Sequence, residues 1–179
     1  HDDLKDRTRH RNARGTLGTL LKHGVIPIIN ENDSVATDEI KFGDNDTLAA
    51  RVSSLISADA LLLLTDQAGL LTKDPRIDAD AELVHRASAF DGNLIAMAGE
   101  GHGWRGRGGM VTKIEAARIT MQAGCRMAIG DGRTLNPLKA FESDTKCTWF
   151  MAQGEPQSAR KLWIAASLNP VGPMFVDSG

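Results

Sequence analysis

Short runs of consecutive apolar residues alternate with longer amphipathic stretches along the chain. Runs in which nearly every position is apolar are typical of strands buried on both faces, and they occupy residues 25–29, 60–64 and 125–129. Apolar residues at helical spacing predict amphipathic helices at residues 4–22, 47–56 and 111–124. Shorter strands are predicted at residues 82–87 and 148–151, and shorter helices at 93–98 and 138–142. Apolar strands separated by helices predict the α/β class with a mostly parallel sheet.

The segments between these elements are rich in glycine, proline and polar residues. Residues 65–76 predict a loop at the carboxyl end of the second apolar strand. Glycines are dense from residue 99 to 109, which predicts a stretch without regular structure before the helix. A polar segment with a proline then predicts a linker, so we place one domain at residues 1–156 and the linker and start of a small β domain at residues 157–179.

Two polar clusters lie close to strong apolar elements. Asn30 and Asp33 follow the first apolar strand, and Asn45 and Asp46 open a predicted helix after a possible hairpin over residues 34–43. Open α/β sheets bind ligands at the carboxyl ends of their strands. Carboxylates accept hydrogen bonds from an ammonium and amides donate to a carboxylate, so this mixture suits a small zwitterion. For Asp46 alone, a helix N-cap is the favoured alternative.

A glycine-rich segment that leads into a helix is the second candidate site. Glycines let backbone N–H groups approach an oxyanion, and a helix N-terminus adds partial positive charge. We predict Lys113 in or near the first helical turn, an unfavourable place for a lysine that indicates a function. The alternative is a flexible surface loop, since the spacing is not that of a Walker A motif. Thr65 and Asp66 end another strand and could hold a nucleotide, although Asp66 could instead cap a turn at Gly69.

The composition restricts the remaining classes of function. Lys and Arg number 21 against 23 Asp and Glu, a net charge of −2 that gives no support to a nucleic-acid-binding role. No apolar run reaches membrane-spanning length. The two cysteines are far apart, which predicts buried thiols in a cytoplasmic protein. The scattered histidines form no HxxxH pair, so we predict no metal site built on protein ligands. The candidate groups suit phosphoryl transfer, which needs positioning and positive charge more than a protein nucleophile.

These motifs resemble the amino acid kinase family over essentially the whole chain. The landmarks are Asn12-Ala13-Arg14, Ile29-Asn30-Glu31-Asn32-Asp33, Gly43-Asp44-Asn45-Asp46, residues 62–75 and Gly108-Gly109-Met110-Val111-Thr112-Lys113. Residues 62–75 are typical of the family in general, whereas the two acidic-amide clusters resemble its glutamate-phosphorylating branch. The resemblance implies a three-layer αβα sandwich that transfers the γ-phosphoryl group of ATP to the side-chain carboxylate of L-glutamate, the first step of proline biosynthesis.

The resemblance also implies roles for individual residues. Asp33, Asn45 and Asn30 would hold L-glutamate, and Lys113 would neutralise charge on the transferring phosphoryl group while Asp46 orients it. ATP, with Mg²⁺, would be held by Thr65, Asp66, Arg107, Gly108, Gly109, Met110, Val111, Thr112 and Lys113. Expected partners are L-glutamate, ATP, a second copy of the chain in a homo-oligomer and functional coupling to the next proline-pathway enzyme. A membrane or a nucleic acid is not expected.

The chain also departs from the family pattern. Leu71 stands where the family often has tyrosine, and Arg107 stands where a small residue or threonine is usual. The family's lysine-bearing N-terminal strand does not precede His1, and the PUA-type C-terminal domain only begins, so we expect the 179 residues alone to be inactive. Two other functions stay open from the sequence: a related kinase with another acidic substrate, and a non-catalytic nucleotide-binding module.

Overall fold

Helices and strands follow one another in an α/β order. The computed structural model describes residues 7–30, 44–73, 78–92, 104–142 and 146–151. Its helices are α1 (Arg7–Lys22), α2 (Asp44–Leu55) and α3 (Trp104–Gln122), together with a 3-10 helix at Pro137–Phe141. Its strands are β1 (Ala60–Thr65), β2 (Arg86–Ala87), β3 (Arg126–Asp131) and β4 (Cys147–Phe150). The predicted strands near 60–64, 125–129 and 148–151 are thus confirmed to within two residues at each end.

The four strands form one mixed sheet in the order β1-β3-β4-β2. Strands β1 and β3 are parallel from Ala60↔Arg126 to Thr65↔Asp131. Strands β2 and β4 are also parallel, whereas β3 and β4 are antiparallel. The α/β class with a mostly parallel sheet is therefore confirmed. Because β1 and β3 run in the same direction, Thr65 and Asp131 lie side by side at the carboxyl edge of the sheet.

Helices α2 and α3 pack against each other and against one face of the sheet. The core between these helices and the sheet contains Leu63, Met127, Ile129 and Phe150, all of them buried. The opposite face carries the 3-10 helix, whose Phe141 ring lies over Gly130 so closely that a Cβ atom at position 130 would come within 2.7 Å of it. Within the described ranges, the structure therefore shows the sheet and one helical layer of the expected sandwich.

Each of the three helices ends in the same hydrogen-bonded motif. After α1, α2 and α3, the residue with positive φ is Gly24, Ser57 and Gly124, respectively. In α3 the Cys125 N–H donates to the Thr120 carbonyl at 2.9 Å, and the Gly124 N–H donates to the Met121 carbonyl at 3.1 Å. This 6→1 and 5→2 pair is the Schellman motif, which satisfies carbonyls that the helix leaves unpaired. The motif confirms His23-Gly24 as the end of the first helix.

The predicted strand at residues 25–29 is wrong. Residues 25–30 have no regular secondary structure, and the side chains of Ile26 and Ile28 are 86% and 96% exposed. An apolar run becomes a strand only when a neighbouring strand takes up its backbone N–H and C=O groups. No strand within the described ranges pairs with this run, and α1 before it buries none of its residues.

Two helices begin earlier than the sequence pattern predicts. Helix α2 starts at Asp44 rather than Thr47, so Asp46 lies inside the first turn and is not an N-cap. Helix α3 starts at Trp104, so the glycine-dense stretch is helical from that residue onwards. Each glycine costs only about 1 kcal/mol in a helix, and extending a helix already anchored by buried residues adds one hydrogen bond per residue. The predictions for residues 34–43, 93–98 and 152–179 lie outside the described residues.

Equivalent positions after α2 and α3 provide a matched pair of substitutions. Ser57→Gly should raise the free energy of unfolding by about 1 kcal/mol, because a residue with a Cβ is strained in the left-handed region. Gly124→Ala should lower it by about 1 kcal/mol for the same reason. Equilibrium unfolding in urea measures both changes, and shifts of the same sign would show that backbone strain does not control these helix ends.

Candidate functional site

An ion pair between α2 and α3 forms the centre of the candidate site. Lys113 Nζ lies 3.1 Å from Asp46 Oδ2, although the two residues are far apart in the chain. The side chain of Lys113 is 16% exposed and that of Asp46 is 18% exposed. A charge pair so far removed from water is screened less than a surface pair, so it fixes the position of the ammonium group.

Thr112 adds a second donor to the same carboxylate. Its hydroxyl lies 3.0 Å from Asp46 Oδ2 and 3.0 Å from the Gly109 carbonyl oxygen. Since a hydroxyl carries one proton, it donates to one of these oxygens at a time. The Lys113 ammonium carries three protons, so its bond to Asp46 leaves two for an anionic ligand. The cluster can therefore hold a negatively charged group at a fixed point.

The position of Lys113 corrects the argument made from the sequence. Because α3 begins at Trp104, Lys113 lies well inside the helix and not in its first turn. The helix dipole acts mainly within the first turn, so it neither disfavours this lysine nor adds to its charge. The Asp46 carboxylate instead accounts for a half-buried lysine at this position.

The predicted nucleotide segment also has a different form. Residues 107–113 are helical, and only the first four N–H groups of a helix lack an intrahelical partner. Of the predicted residues, Arg107 alone belongs to that first turn, while Gly108 and Gly109 come after it. The segment also faces several directions, because Gly109 and Val111 are exposed whereas Met110 packs against the core. The segment is therefore helical and not a loop, whereas its role in ATP binding stays a prediction.

A second polar cluster lies at the carboxyl ends of β1 and β3. The Thr65 hydroxyl lies 3.3 Å from Asp66 Oδ1 and accepts a hydrogen bond from the Gln67 N–H at 3.0 Å. The Gly132 N–H donates to the Thr65 carbonyl at 2.8 Å, which joins the two strand ends. The Asp66 side chain thus contacts the neighbouring threonine, and no contact with Gly69 supports a turn cap.

Sequence reasoning missed two residues of this second cluster. Arg133 donates to Asp131 from both Nε and Nη2, each at 2.9 Å, and its backbone N–H donates to the same carboxylate. These hydrogen bonds hold the pKa of Asp131 at about 2. The pKa of Arg133 is raised, first by the hydrogen bond to Asp131 and also by the charge of Asp66. A polar Asp-Gly-Arg sequence directly after a buried strand was the available signal.

The predicted glutamate-binding residues are only partly brought together. Asn45 is exposed in the first turn of α2 and immediately precedes Asp46 in the chain. Asn30 is exposed at the end of the segment without regular structure. Asp33 lies outside the described residues. Of these three residues, Asn45 alone belongs to a helix that contributes to the cluster, and its contact with glutamate stays a prediction.

Two properties of the described residues bear on the class of site. Among the described residues, no group of three or more His, Cys, Asp or Glu side chains is arranged to hold a metal ion. In that same part of the chain, no helix combines the length and the apolar character needed to cross a bilayer. In the two candidate clusters, Asp46 and Asp131 form ion pairs with the side chains of Lys113 and Arg133, respectively.

Comparison with known proteins identifies similar sequences. The model of the amino acid kinase family matches residues 1–131. Glutamate 5-kinases from Paramagnetospirillum magneticum, Agrobacterium fabrum and Rhodospirillum rubrum are 52%, 50% and 49% identical to this chain, over 99% of its length in each case. These alignments cover 48%, 46% and 48% of the relatives, so the chain spans about half their length. Among solved structures, UMP kinase from Ureaplasma parvum is similar with a TM-score of 0.45 and 12% identity, covering 83% of this chain and 70% of that one.

The Asp131–Arg133 pair predicts a specific titration. Arg133→Gln should raise the pKa of Asp131 from about 2 towards 3.8, the usual value of an aspartic acid. Because the folded-state pKa is the lower one, the pair stabilises the fold above about pH 4, and this contribution is lost as the pH falls towards 2. The effect on stability should be small because the pair is exposed.

An NMR titration of the Asp131 carboxyl carbon measures this shift. Lys73→Gln is the matched control, since it removes the equivalent exposed partner of Asp78 and leaves Asp131 untouched. A pKa of Asp131 that stays near 2 without Arg133 would contradict the assignment.

Proposed function

Because the chain belongs to the amino acid kinase family, we propose that it carries much of the active site of a glutamate kinase. This enzyme would transfer the γ-phosphoryl group of ATP to the side-chain carboxylate of L-glutamate, giving γ-glutamyl phosphate for proline biosynthesis. The observation that carries the proposal is the half-buried cluster in which Asp46 holds both Lys113 and Thr112. The names of the relatives at about 50% identity support the choice of glutamate.

The proposed reaction is an in-line displacement at phosphorus. A carboxylate oxygen of glutamate forms the new O–P bond as the bond between the γ-phosphorus and the bridging oxygen of ADP breaks. Negative charge on the transferring group must be stabilised while both oxygens are held in line. Lys113 supplies a positive charge for this purpose, and Asp46 keeps the ammonium from rotating away. Lys113 is thus proposed as the catalytic residue, and Asp46 as the residue that positions it.

Glutamate would bind near the start of α2. Asn45 directly precedes Asp46 in α2, and its amide can donate to the substrate's carboxylate groups. We propose that Asp33 and Asn30 complete the site by accepting from the substrate's ammonium and by fixing its α-carboxylate. Substrate and catalytic lysine would then meet at the same end of α2.

ATP would extend from Lys113 to the carboxyl edge of the sheet. Thr65 and Asp66 end β1 at the position where open α/β sheets bind nucleotides. Exposed parts of residues 107–113 would complete the phosphate side. Mg²⁺ usually binds through substrate phosphates and one or two carboxylates, so we propose that the ion binds together with ATP. Such an ion would neutralise phosphate charge.

The remaining expectations concern the cell. The buried free thiols Cys125 and Cys147 agree with a reducing cytoplasm, where we propose that the protein works. Burial raises the pKa of the Cys125 thiol, which disfavours its oxidation. We also propose that the protein works as a homo-oligomer and is coupled functionally to the next enzyme of proline biosynthesis.

Lys113→Ala should lower kcat far more than it weakens ATP binding. Removing one preorganised positive contact from the transition state typically costs on the order of 100- to 1000-fold in rate. Steady-state kinetics in a longer protein that contains these 179 residues measure the change. Lys139→Ala is the control, because it removes an exposed lysine on the 3-10 helix. A near-normal kcat in Lys113→Ala would contradict the assignment of Lys113 as the catalytic residue.

A second substitution tests whether Asp46 acts through Lys113. Asp46→Asn should lower kcat in the wild-type background but change it little in a Lys113→Ala background, because residues that act as a unit are not additive. Equal losses in the two backgrounds would mean that Asp46 has a separate role.

Asn45→Ala and Asp33→Ala should raise the KM for glutamate and leave ATP binding nearly unchanged. Polar groups that pair with a buried ligand lose affinity when one partner is removed. Glutamate and aspartate compared as substrates in a hydroxamate assay for the acyl phosphate would establish the specificity. If either variant weakened ATP rather than glutamate, the two sites would be interchanged.

A further inference from the structure

A buried threonine ties the segment after β1 to the centre of the sheet. Thr148 in β4 is fully buried, and its Oγ1 accepts a hydrogen bond from the Leu70 N–H at 2.8 Å. The same hydroxyl donates to the Val84 carbonyl oxygen at 2.7 Å. A single side chain thus uses its acceptor and its donor on two separate segments of backbone.

These two segments also bind each other. The Val84 N–H donates to the Leu70 carbonyl and the Thr72 N–H donates to the Glu82 carbonyl, both at 2.8 Å. The Glu82 N–H in turn donates to the Thr72 hydroxyl at 3.0 Å. Residues 70–72 and 82–84 therefore form a small paired unit, and Thr148 is the hydroxyl that anchors this unit to β4.

Gly69 packs closely against Thr148. A Cβ atom at Gly69 would collide with Thr148 Oγ1 and would come within 3.0 Å of the Thr148 backbone nitrogen. The backbone at position 69 therefore lies directly on the threonine. Only Asp66, Gln67 and Ala68 separate Gly69 from the end of β1. The contact of Gly69 and Leu70 with Thr148 therefore restricts the position of Asp66.

We propose that Thr148 is a positioning residue for nucleotide binding, which sets the place of Asp66 by fixing Leu70, while strand pairing fixes Thr65. This inference rests on the proposed function, because it takes Thr65 and Asp66 as ATP contacts. Threonine suits the role because its hydroxyl both accepts and donates, whereas valine has the same shape and does neither.

Thr148→Val should raise the Kd and KM for ATP on the order of tenfold while kcat at saturating ATP changes little, since loss of geometry acts on binding and orientation. Thr148→Ser keeps the hydroxyl and should restore ATP affinity close to the wild-type value. The matched control is Thr120→Val. Thr120 is equally buried, but its hydroxyl contacts only the Ala116 and Ala117 carbonyls of its own helix. Thr120→Val should lower the Tm without changing ATP affinity.

Amide hydrogen exchange provides a readout that does not need nucleotide. In Thr148→Val the Leu70 and Thr72 amides should exchange faster, while amides of α3 stay protected. Unchanged Leu70 exchange, or an equal loss of ATP affinity in Thr120→Val, would overturn the positioning role. Wild-type protein that binds no ATP would overturn the proposed function, whereas normal ATP binding by Thr148→Val would overturn only the role of Thr148.

Discussion

The packing of α2 against α3 is the contact on which the candidate site depends. Small side chains allow it, since Ala50 in α2 and Ala116 and Ala117 in α3 are fully buried where the helices meet the core. Short side chains let two helices approach closely, and this brings Asp46 to within 3.1 Å of Lys113. Larger residues at these alanines would separate the charges, so the geometry of the ion pair is a property of the apolar interface beneath it.

The pattern of apolar and polar residues was sufficient to predict elements whose signal lies within a short stretch of the chain. The apolar runs that became β1 and β3 lie where the pattern puts them, next to helices whose periodicity was also visible, although Leu63 is the only buried residue of β1. The pattern failed for residues 25–29, because most of that apolar run is exposed and no strand within the described ranges pairs with it. It failed again after Trp104, because the cost of each glycine is small beside the cooperativity of a helix that is anchored further along.

The candidate site was predictable only where a sequence motif contains its residues. Motif resemblance paired Lys113 with Asp46, and the structure confirms that they meet. The motif resemblance did not indicate Thr148 or the Asp131–Arg133 pair. Thr148 bonds to Leu70 across 78 positions of the chain, a relation that no local window contains. Asp131 belongs to the second cluster only because the parallel register of β1 and β3 places it beside Thr65.

The mixed direction of the sheet has a consequence for the order of folding. Strands β3 and β4 are antiparallel and are joined through the short 3-10 helix, so their pairing closes a small loop. Strands β1 and β3 are parallel, and α3 lies in the chain between them. Pairing of distant residues loses more chain entropy before any contact compensates for it. The β3–β4 unit should therefore form early with α3, and the two edge strands β1 and β2, which both pair with distant residues, should join it late, so that the nucleotide edge is among the last parts of the sheet to be completed.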